Sequence, residues 1–149
     1  MNMKWIFLML LVFSAAIGGG VYFLSKSGTG SGVELDWRLL GQLDYISNKA
    51  STELQKIDGQ RVKIPGFIVP LEDNNRQVTE FLLVPSPQAC IHVPPPPPNQ
   101  MVYVKMKQGT EVSVGAPVWV YGDFKIATKR SQYGEVSFEM SGDTIEPYK

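Results

Sequence analysis

The chain has 149 residues, the size of one domain, and its 14 Lys and Arg residues balance its 14 Asp and Glu residues. Without a basic excess, nucleic-acid binding is not expected, because such surfaces carry clustered positive charge. A single Cys excludes an intramolecular disulfide and any multi-cysteine zinc-finger or iron–sulfur site, while 44% hydrophobic residues indicate a packed core.

Residues 1–25 indicate a membrane anchor or a signal segment. From Trp5 to Leu24 no residue is charged, and this length is about that of a membrane-spanning helix. Ser14-Ala15-Ala16 resembles a cleavage site, but the apolar stretch continues beyond it. We therefore expect one uncleaved membrane-spanning helix with the C-terminal domain outside, and signal cleavage is the alternative. Residues 26–33 are expected to form a flexible Gly/Ser linker.

Residues 34–149 are expected to form one domain that begins with a helical segment. Between Glu34 and Ile57, apolar residues recur every three or four positions, as on one face of a helix. They are Leu39, Leu43, Ile46, Ala50, Leu54 and Ile57. Asp36 is a suitable N-cap, and the Ser, Thr and Asn residues at 47–52 favour two short helices as much as one long helix.

After Gln60 the pattern becomes that of short strands. The predicted strands are residues 61–71, 78–84, 101–106, 117–127 and 136–140, with a last extended piece at 143–147. Pro65-Gly66 predicts a bulge or a sharp bend inside the first strand. Five or six short, bent strands behind a helix predict a mainly β fold, a small OB-like curved barrel.

A run of prolines stands between the second and third predicted strands. Proline fixes φ and lacks an N–H donor, so the run predicts a polyproline II rod. The simplest interpretation is a stiff loop or a brace against the domain's own aromatic side chains. The alternative is a preformed surface that docks into an aromatic groove of a partner. The predicted docking residues are Pro94, Pro95, Pro96, Pro97, Pro98, Asn99 and Gln100.

The chain's single Cys and single His, Cys90 and His92, stand just before the prolines. In extended chain, residues two apart point to the same side, so a thiolate and an imidazole there can share a Zn²⁺ ion. Glu72 and Asp73, a second chain or water are candidates for the remaining ligands. A buried thiol beside a structural imidazole is the alternative. Enzyme activity is not expected, because a Cys nucleophile needs a well-placed base and an orienting group.

Several stretches resemble the bacterial domain-of-unknown-function family 3299. They are residues 35–40, 58–72, 81–85 and 89–100, and the last contains the unusual string Cys-Ile-His-Val followed by five prolines, Asn and Gln. The resemblance covers about residues 34–147. It implies export from a Gram-negative cell and a role in metal handling or in assisting an ABC transporter at the inner membrane. It identifies no catalytic residues.

The combined prediction is a membrane-anchored periplasmic accessory protein without enzyme activity. In this hypothesis it binds or handles zinc in association with an ABC transporter, with Cys90, His92 and Glu72 as ligands. The rival hypothesis is an interaction module that docks through the proline rod and binds no metal. A third possibility is an oligosaccharide or peptide bound at the barrel mouth, lined by Trp119 and Tyr121.

Overall fold

The computed structural model describes residues 31–73, 76–87 and 94–149. They belong to a compact unit that runs from Ser31 to Lys149, so residues 31–33 of the predicted linker are part of it. The predicted anchor or signal segment, residues 1–25, lies outside the described residues. Within the described part of the chain, no helix has the length and apolar character needed to cross a bilayer.

The described residues form six strands, two short α-helices and a 3₁₀ helix. The strands are β1 (Val33–Glu34), β2 (Arg61–Pro70), β3 (Val78–Val84), β4 (Val102–Thr110), β5 (Pro117–Ser131) and β6 (Gly134–Pro147). The α-helices are α1 (Trp37–Leu40) and α2 (Thr52–Ile57), and the 3₁₀ helix is Pro98–Gln100.

The strands make one six-stranded sheet in the order β1-β2-β3-β4-β6-β5, and β2 also pairs with β5. The β1–β2 and β4–β6 pairs are parallel, and the others are antiparallel. Because β2 pairs with β5, the sheet returns on itself as a partial ring. The predicted mainly β fold with a helical segment at its start is confirmed.

Strand β2 is shared between the two sides of this ring. Residues 61–67 pair with β5, and residues 67–70 pair with β3. Gly66 lies where the partner changes, and a Cβ atom there would come within 2.7 Å of the Val84 carbonyl oxygen. The predicted bulge at Pro65-Gly66 is wrong, because the register with β5 is continuous. The glycine instead allows close approach of β3.

The helical pattern of residues 34–57 corresponds to two separate helices. The Asp36 carboxylate accepts a hydrogen bond of 2.7 Å from the Leu39 amide and caps α1. The Ser51 hydroxyl accepts one of 3.2 Å from the Leu54 amide and caps α2. The cap predicted at Asp36 is therefore confirmed, and of the two possibilities the structure has the two short helices.

One member of the predicted apolar stripe, Ile46, is exposed. Ile46 is 85% exposed, because the Asp44 carboxylate binds the amides of Ile46 and Ser47 and the chain turns there. A backbone bridge between Asp44 and Lys49 closes this turn. The polar side chain thus competes successfully with helix formation.

Strands β5 and β6 form one long hairpin. The two pieces predicted at 136–140 and 143–147 are a single strand, and β5 continues to Ser131. The two strands meet in a two-residue turn, Gln132-Tyr133, which is followed by Gly134 at φ 123°. That backbone conformation favours glycine, which explains the residue type at the start of β6.

The apolar side chains form two clusters because successive residues of a strand point to opposite faces. Phe81 and Leu83 of β3 belong to the main core. In this core the ring centres of Phe124 and Phe138 lie 5.4 Å apart. The opposite face of β3 and β4 carries a second cluster. Its buried members are Val69, Leu82, Val84, Met101, Tyr103 and Val136.

Candidate functional site

The proline segment, residues 94–98, lies on the surface of the domain. Pro94, Pro95 and Pro97 are exposed, and Pro96 and Pro98 are half-buried. Pro97 has φ −62° and ψ 155°, which is polyproline II geometry, so the rod prediction is confirmed at that residue. The rod prediction is wrong at Pro98, which is the first residue of the 3₁₀ helix, so the extended part of the segment is residues 94–97.

The end of the proline segment is fixed by two side-chain amides. Asn99 Nδ2 donates to the carbonyl oxygens of Leu43 at 2.9 Å and Gly41 at 3.3 Å. Gln100 Nε2 donates to the Trp37 carbonyl oxygen at 3.2 Å. The Gly41 and Leu43 carbonyls lie beyond the end of α1, whereas the Trp37 carbonyl also accepts a bond from the Gly41 amide inside the helix turn. Two of the predicted docking residues therefore make contacts inside the domain.

Trp119 and Tyr121 lie on the outer face of β5. Val118 and Val120 alternate with them along the strand, and their side chains belong to the main core. The side chains of Trp119 and Tyr121 therefore point to the opposite face. The Trp119 ring lies 5.0 Å from the Tyr148 ring, and Tyr121 donates a hydrogen bond of 2.9 Å to Glu146. Both residues therefore lie on the outside of the ring. Their recorded partners are Tyr148 and Glu146 rather than the prolines.

Tyr103 stands at the centre of a polar network beside the second cluster. Its hydroxyl donates to Glu80 at 2.5 Å, and Lys105 Nζ lies 3.0 Å from the other carboxylate oxygen. Lys129 Nζ lies 4.2 Å from the Tyr103 ring centre. Burial and the hydrogen bond to Glu80 raise the pKa of Tyr103, and the bonds from Tyr103 and Lys105 lower the pKa of Glu80. These shifts favour the ionised form of Glu80 and the neutral form of Tyr103. Groups that keep one protonation state suit a structural role.

Glu72 lies just after β2, where the sequence predicted it, and is half-buried. Its carboxylate accepts hydrogen bonds from the Thr79 hydroxyl and from the Thr79 and Glu80 amides, the last two at 3.4 and 3.2 Å. The carboxylate therefore joins the end of β2 to the start of β3. A metal ion at Glu72 would compete with these bonds.

Cys90 and His92 lie outside the described residues, so their role as ligands stays a prediction. Within residues 31–73, 76–87 and 94–149, no group of three His, Cys, Asp or Glu side chains is placed to hold a metal ion. Two open pockets on the described surface have volumes of about 550 and 400 Å³. The first is lined by Glu34, Asp36, Arg38 and Glu53 among others, and the second by Lys105, Lys125 and Glu139 among others. Neither includes a predicted site residue.

Sequence reasoning missed the Tyr103 network and the internal role of the two amides. Glu80 and Tyr103 are on different strands, and their proximity follows from the register in which Leu82 pairs with Tyr103. Correct pairing of β3 with β4 would have been the signal. The carbonyls that bind Asn99 lie more than 50 residues earlier in the chain, and no local pattern connects them.

Comparison with known proteins decides the family. The model of the family described as "Protein of unknown function (DUF3299)" matches residues 41–147. This chain belongs to that family. A solved structure of a DUF3299 family protein from Pseudomonas aeruginosa PAO1 is 35% identical to it, with a TM-score of 0.66. The match covers 80% of this chain and 98% of the Pseudomonas chain. None of the curated proteins matches this DUF3299 chain.

Proposed function

We propose that this DUF3299 protein is a membrane-anchored, periplasm-facing accessory protein that recruits a partner protein through residues 94–98. The observation that carries the proposal is an exposed proline segment whose end is fixed by Asn99 and Gln100. A polyproline II rod is already ordered, so it loses little conformational entropy on binding. The fixed end sets its direction relative to the domain, and enzyme activity is no part of the proposal.

The partner proposed is an ABC transporter of the inner membrane with an aromatic groove on its periplasmic side. The family resemblance supports the transporter, and the proline chemistry supports the groove, because such rods pack on aromatic rings. A membrane anchor at residues 1–25 would keep both proteins in one bilayer. Confinement of that kind raises the effective concentration, so a weak contact suffices.

The barrel is proposed to be of the OB type. Five strands, β2 to β6, follow one another around the ring, and this number of strands supports the assignment. OB barrels bind oligonucleotides and oligosaccharides on the face of their second and third strands. Here the corresponding strands, β3 and β4, carry the buried second cluster, so no ligand is proposed for that face.

Loss of the rod tests the docking function. A photo-crosslinking residue at position 94 of the full chain in native membranes should give one crosslinked transporter species. We expect the double variant Pro95→Gly/Pro97→Gly to reduce that species about tenfold or more, because glycine removes the fixed φ of the rod. Pro147→Gly, at the exposed end of β6, is the matched control and should leave the yield unchanged.

An unchanged crosslinking yield in the double variant would contradict docking through the prolines. Urea unfolding of the same variants is the companion measurement. Since Pro95 and Pro97 are exposed, we expect a change in unfolding free energy of less than about 0.5 kcal/mol. A loss of crosslinking with intact folding then reports the interface itself.

Zinc binding is the second candidate function. It is supported by the spacing of the chain's single Cys and single His, Cys90 and His92, two positions apart and next to the rod. Glu72 is the third proposed ligand. The thiolate and imidazole would supply soft and borderline donors of the kind zinc prefers, and a second chain or water would complete the tetrahedron.

Zinc content of the full chain, purified reduced in detergent, tests this candidate. We expect stoichiometric zinc in the unmodified protein and none in Cys90→Ser or His92→Ala. Glu72→Gln should bind zinc more weakly, and Met101→Leu, which removes the sulfur of a buried methionine of the second cluster, should bind it normally. Half-stoichiometric zinc would mean a site shared by two chains. If the unmodified protein is folded and contains no zinc, the zinc-binding function is wrong.

A further inference from the structure

An aromatic and cationic patch covers one part of the outer face of the ring. The rings of Trp119 and Tyr148 lie 5.0 Å apart at an angle of 47°, and Lys63 Nζ lies 4.4 Å from the Trp119 ring centre. Tyr148 is 47% exposed and Trp119 is half-buried. Trp119, Tyr148 and Lys63 together form what we call the Trp119 patch.

The Trp119 patch lies close to the point where the chain joins the domain. Arg61 Nε donates a hydrogen bond of 2.9 Å to the carbonyl oxygen of Ser31. Arg61 and Lys63 are two residues apart on β2, so their side chains leave the strand on the same face. Lys63 also pairs with Glu34, three residues after Ser31, so the start of the domain and the Trp119 patch lie on one face of β2.

The chain before Ser31 is short. Residues 26–30 separate the proposed membrane anchor from the domain, and five extended residues reach at most about 17–18 Å. A domain on such a tether stays within contact range of the bilayer surface. The side of the domain next to Ser31 is the side that the tether favours.

We infer that the Trp119 patch rests on the headgroup region of the bilayer. This inference rests on the proposed membrane anchoring. Trp and Tyr are the residues enriched where the hydrocarbon core meets water, because their rings are amphipathic. Lys63 suits the same position, since its aliphatic stem lies along apolar surface while its ammonium group stays in water.

The charges of this face indicate which force holds it there. Lys63 is paired with Glu34 at 3.0 Å, and Arg61 forms a two-bond pair with Asp143, one bond being 3.0 Å long. The cations are therefore largely neutralised, the exposed Glu146 lies directly across from Trp119 on β6, and the aromatic rings supply the attraction. Binding should be no stronger on anionic than on neutral lipid, unlike that of a polybasic segment. The tether compensates for the weakness of two rings by raising their effective concentration.

Fluorescence quenching by lipid tests the inference in the full chain reconstituted into phosphatidylcholine vesicles that contain 5-doxyl lipid. In a Cys90→Ser background, an environment-sensitive aromatic dye is attached at Tyr148→Cys, where its rings take the place of the tyrosine ring, or at Tyr133→Cys. Tyr133 lies in the β5–β6 turn and is 42% exposed, against 47% for Tyr148, which makes it a matched control. We expect the dye at 148 to lose about half of its emission and the dye at 133 less than about a tenth.

A second variant separates the patch from general proximity to the membrane. Trp119→Glu places a charge in the patch and should reduce quenching at 148 to the level seen at 133. Circular dichroism verifies that this variant is folded, and Tyr133→Glu, which should leave quenching at 148 unchanged, is its control. Replacing a third of the lipid with phosphatidylglycerol should not alter the pattern. Equal quenching at 148 and 133 would overturn the inference.

Vesicle flotation distinguishes the failure of this inference from the failure of the proposed anchoring. If the chain floats with vesicles and both dyes are quenched equally, the anchor stands and the Trp119 patch does not contact lipid. If the chain does not float after alkaline extraction, the anchor is absent and the inference falls with it. If the chain floats and only the dye at position 148 is quenched, the membrane anchor and the lipid contact of the Trp119 patch are both supported.

Discussion

Pairs of side chains from different strands hold the outer polar surface of the ring together. Glu80 is the clearest example, because it accepts a hydrogen bond from Tyr103 and pairs with Lys105. Each partner favours the ionised carboxylate, so the pKa of Glu80 is lowered. The stability that the network contributes must therefore depend on pH.

Tyr103→Phe tests this dependence by removing the hydroxyl donor and leaving Lys105. The pKa of Glu80 in the folded protein lies below its ordinary 4.5, so the stabilisation is present above that pH. It is lost as the pH falls through the lowered pKa. We expect the variant to be less stable by about 1 kcal/mol near pH 7, and the difference to shrink as the pH falls through the lowered pKa of Glu80. A series of urea unfolding curves from pH 7 downward measures this change.

Tyr121→Phe is the control for that experiment. Tyr121 also donates a hydrogen bond to a glutamate, but Glu146 is exposed. The bond competes with water, so its removal should change stability less. If the stability loss of Tyr103→Phe stayed constant over the whole acidic range in which the protein remains folded, the Glu80 explanation would be wrong.

At the scale of elements, the Asn99 amide joins the end of the proline segment to the chain that follows α1. Asn99→Asp replaces the amide donor by an acceptor, which faces the carbonyls of Gly41 and Leu43. We expect a loss of about 1–3 kcal/mol of unfolding free energy, since the carbonyls lose their donor and meet a like partial charge. Transporter crosslinking from position 94 should fall several-fold because the segment loses its fixed direction.

The matched control for the Asn99 variant is Gln108→Glu. It makes the same amide-to-carboxylate change at an exposed position of β4 and should alter neither stability nor crosslinking. A stable Asn99→Asp protein with full crosslinking would show that the fixed end has no part in docking.

The positions of the strands were predictable because apolar alternation depends on local sequence. Residues 78–84 were predicted as a strand and form β3, and the strands predicted from 101 and 117 lie in β4 and β5. The lengths were less predictable. Beyond residue 106, β4 carries several exposed residues, and the pattern there resembles that of a loop. Backbone pairing rather than side-chain burial extends the strands.

The candidate site was predictable in part. The unusual composition of residues 89–100 identified the proline segment, and Pro97 has the expected conformation. The amides of Asn99 and Gln100 were assigned to a partner but bind the domain's own carbonyls. Which carbonyls lie within reach is decided by tertiary packing, and a single sequence carries no signal of it. The metal assignment of Cys90 and His92 stays a prediction.

At the scale of the whole molecule, the ring is reinforced by an ion pair across three strands. Arg61 of β2 binds Asp143 of β6, although β5 lies between those strands. Burial opposes ionisation of Asp143, but the bonds from Arg61 outweigh it and lower the pKa of that carboxyl. The pair thus links the first long strand to the last.

A double-mutant cycle measures this link. We expect Arg61→Leu and Asp143→Asn each to destabilise the domain, with a coupling energy of about 1 kcal/mol between them. Lys129 and Glu139, which pair at 2.9 Å on the adjacent strands β5 and β6, provide the comparison. Their coupling should be smaller because both side chains are more exposed. Zero coupling between Arg61 and Asp143 would contradict a role in closing the ring.

The sharing of β2 between β3 and β5 has a consequence for biosynthesis. Arg61 pairs with Asp123, so one side of β2 has no partner until the ribosome has made about 60 further residues. At about 5–20 residues per second this takes about 3–12 s. During that time β3 can form a hairpin with β2, but the hydrogen-bonding edge that later meets β5 stays open. The nascent chain therefore exposes an apolar strand edge for seconds, and shielding by a chaperone during this interval would favour correct assembly.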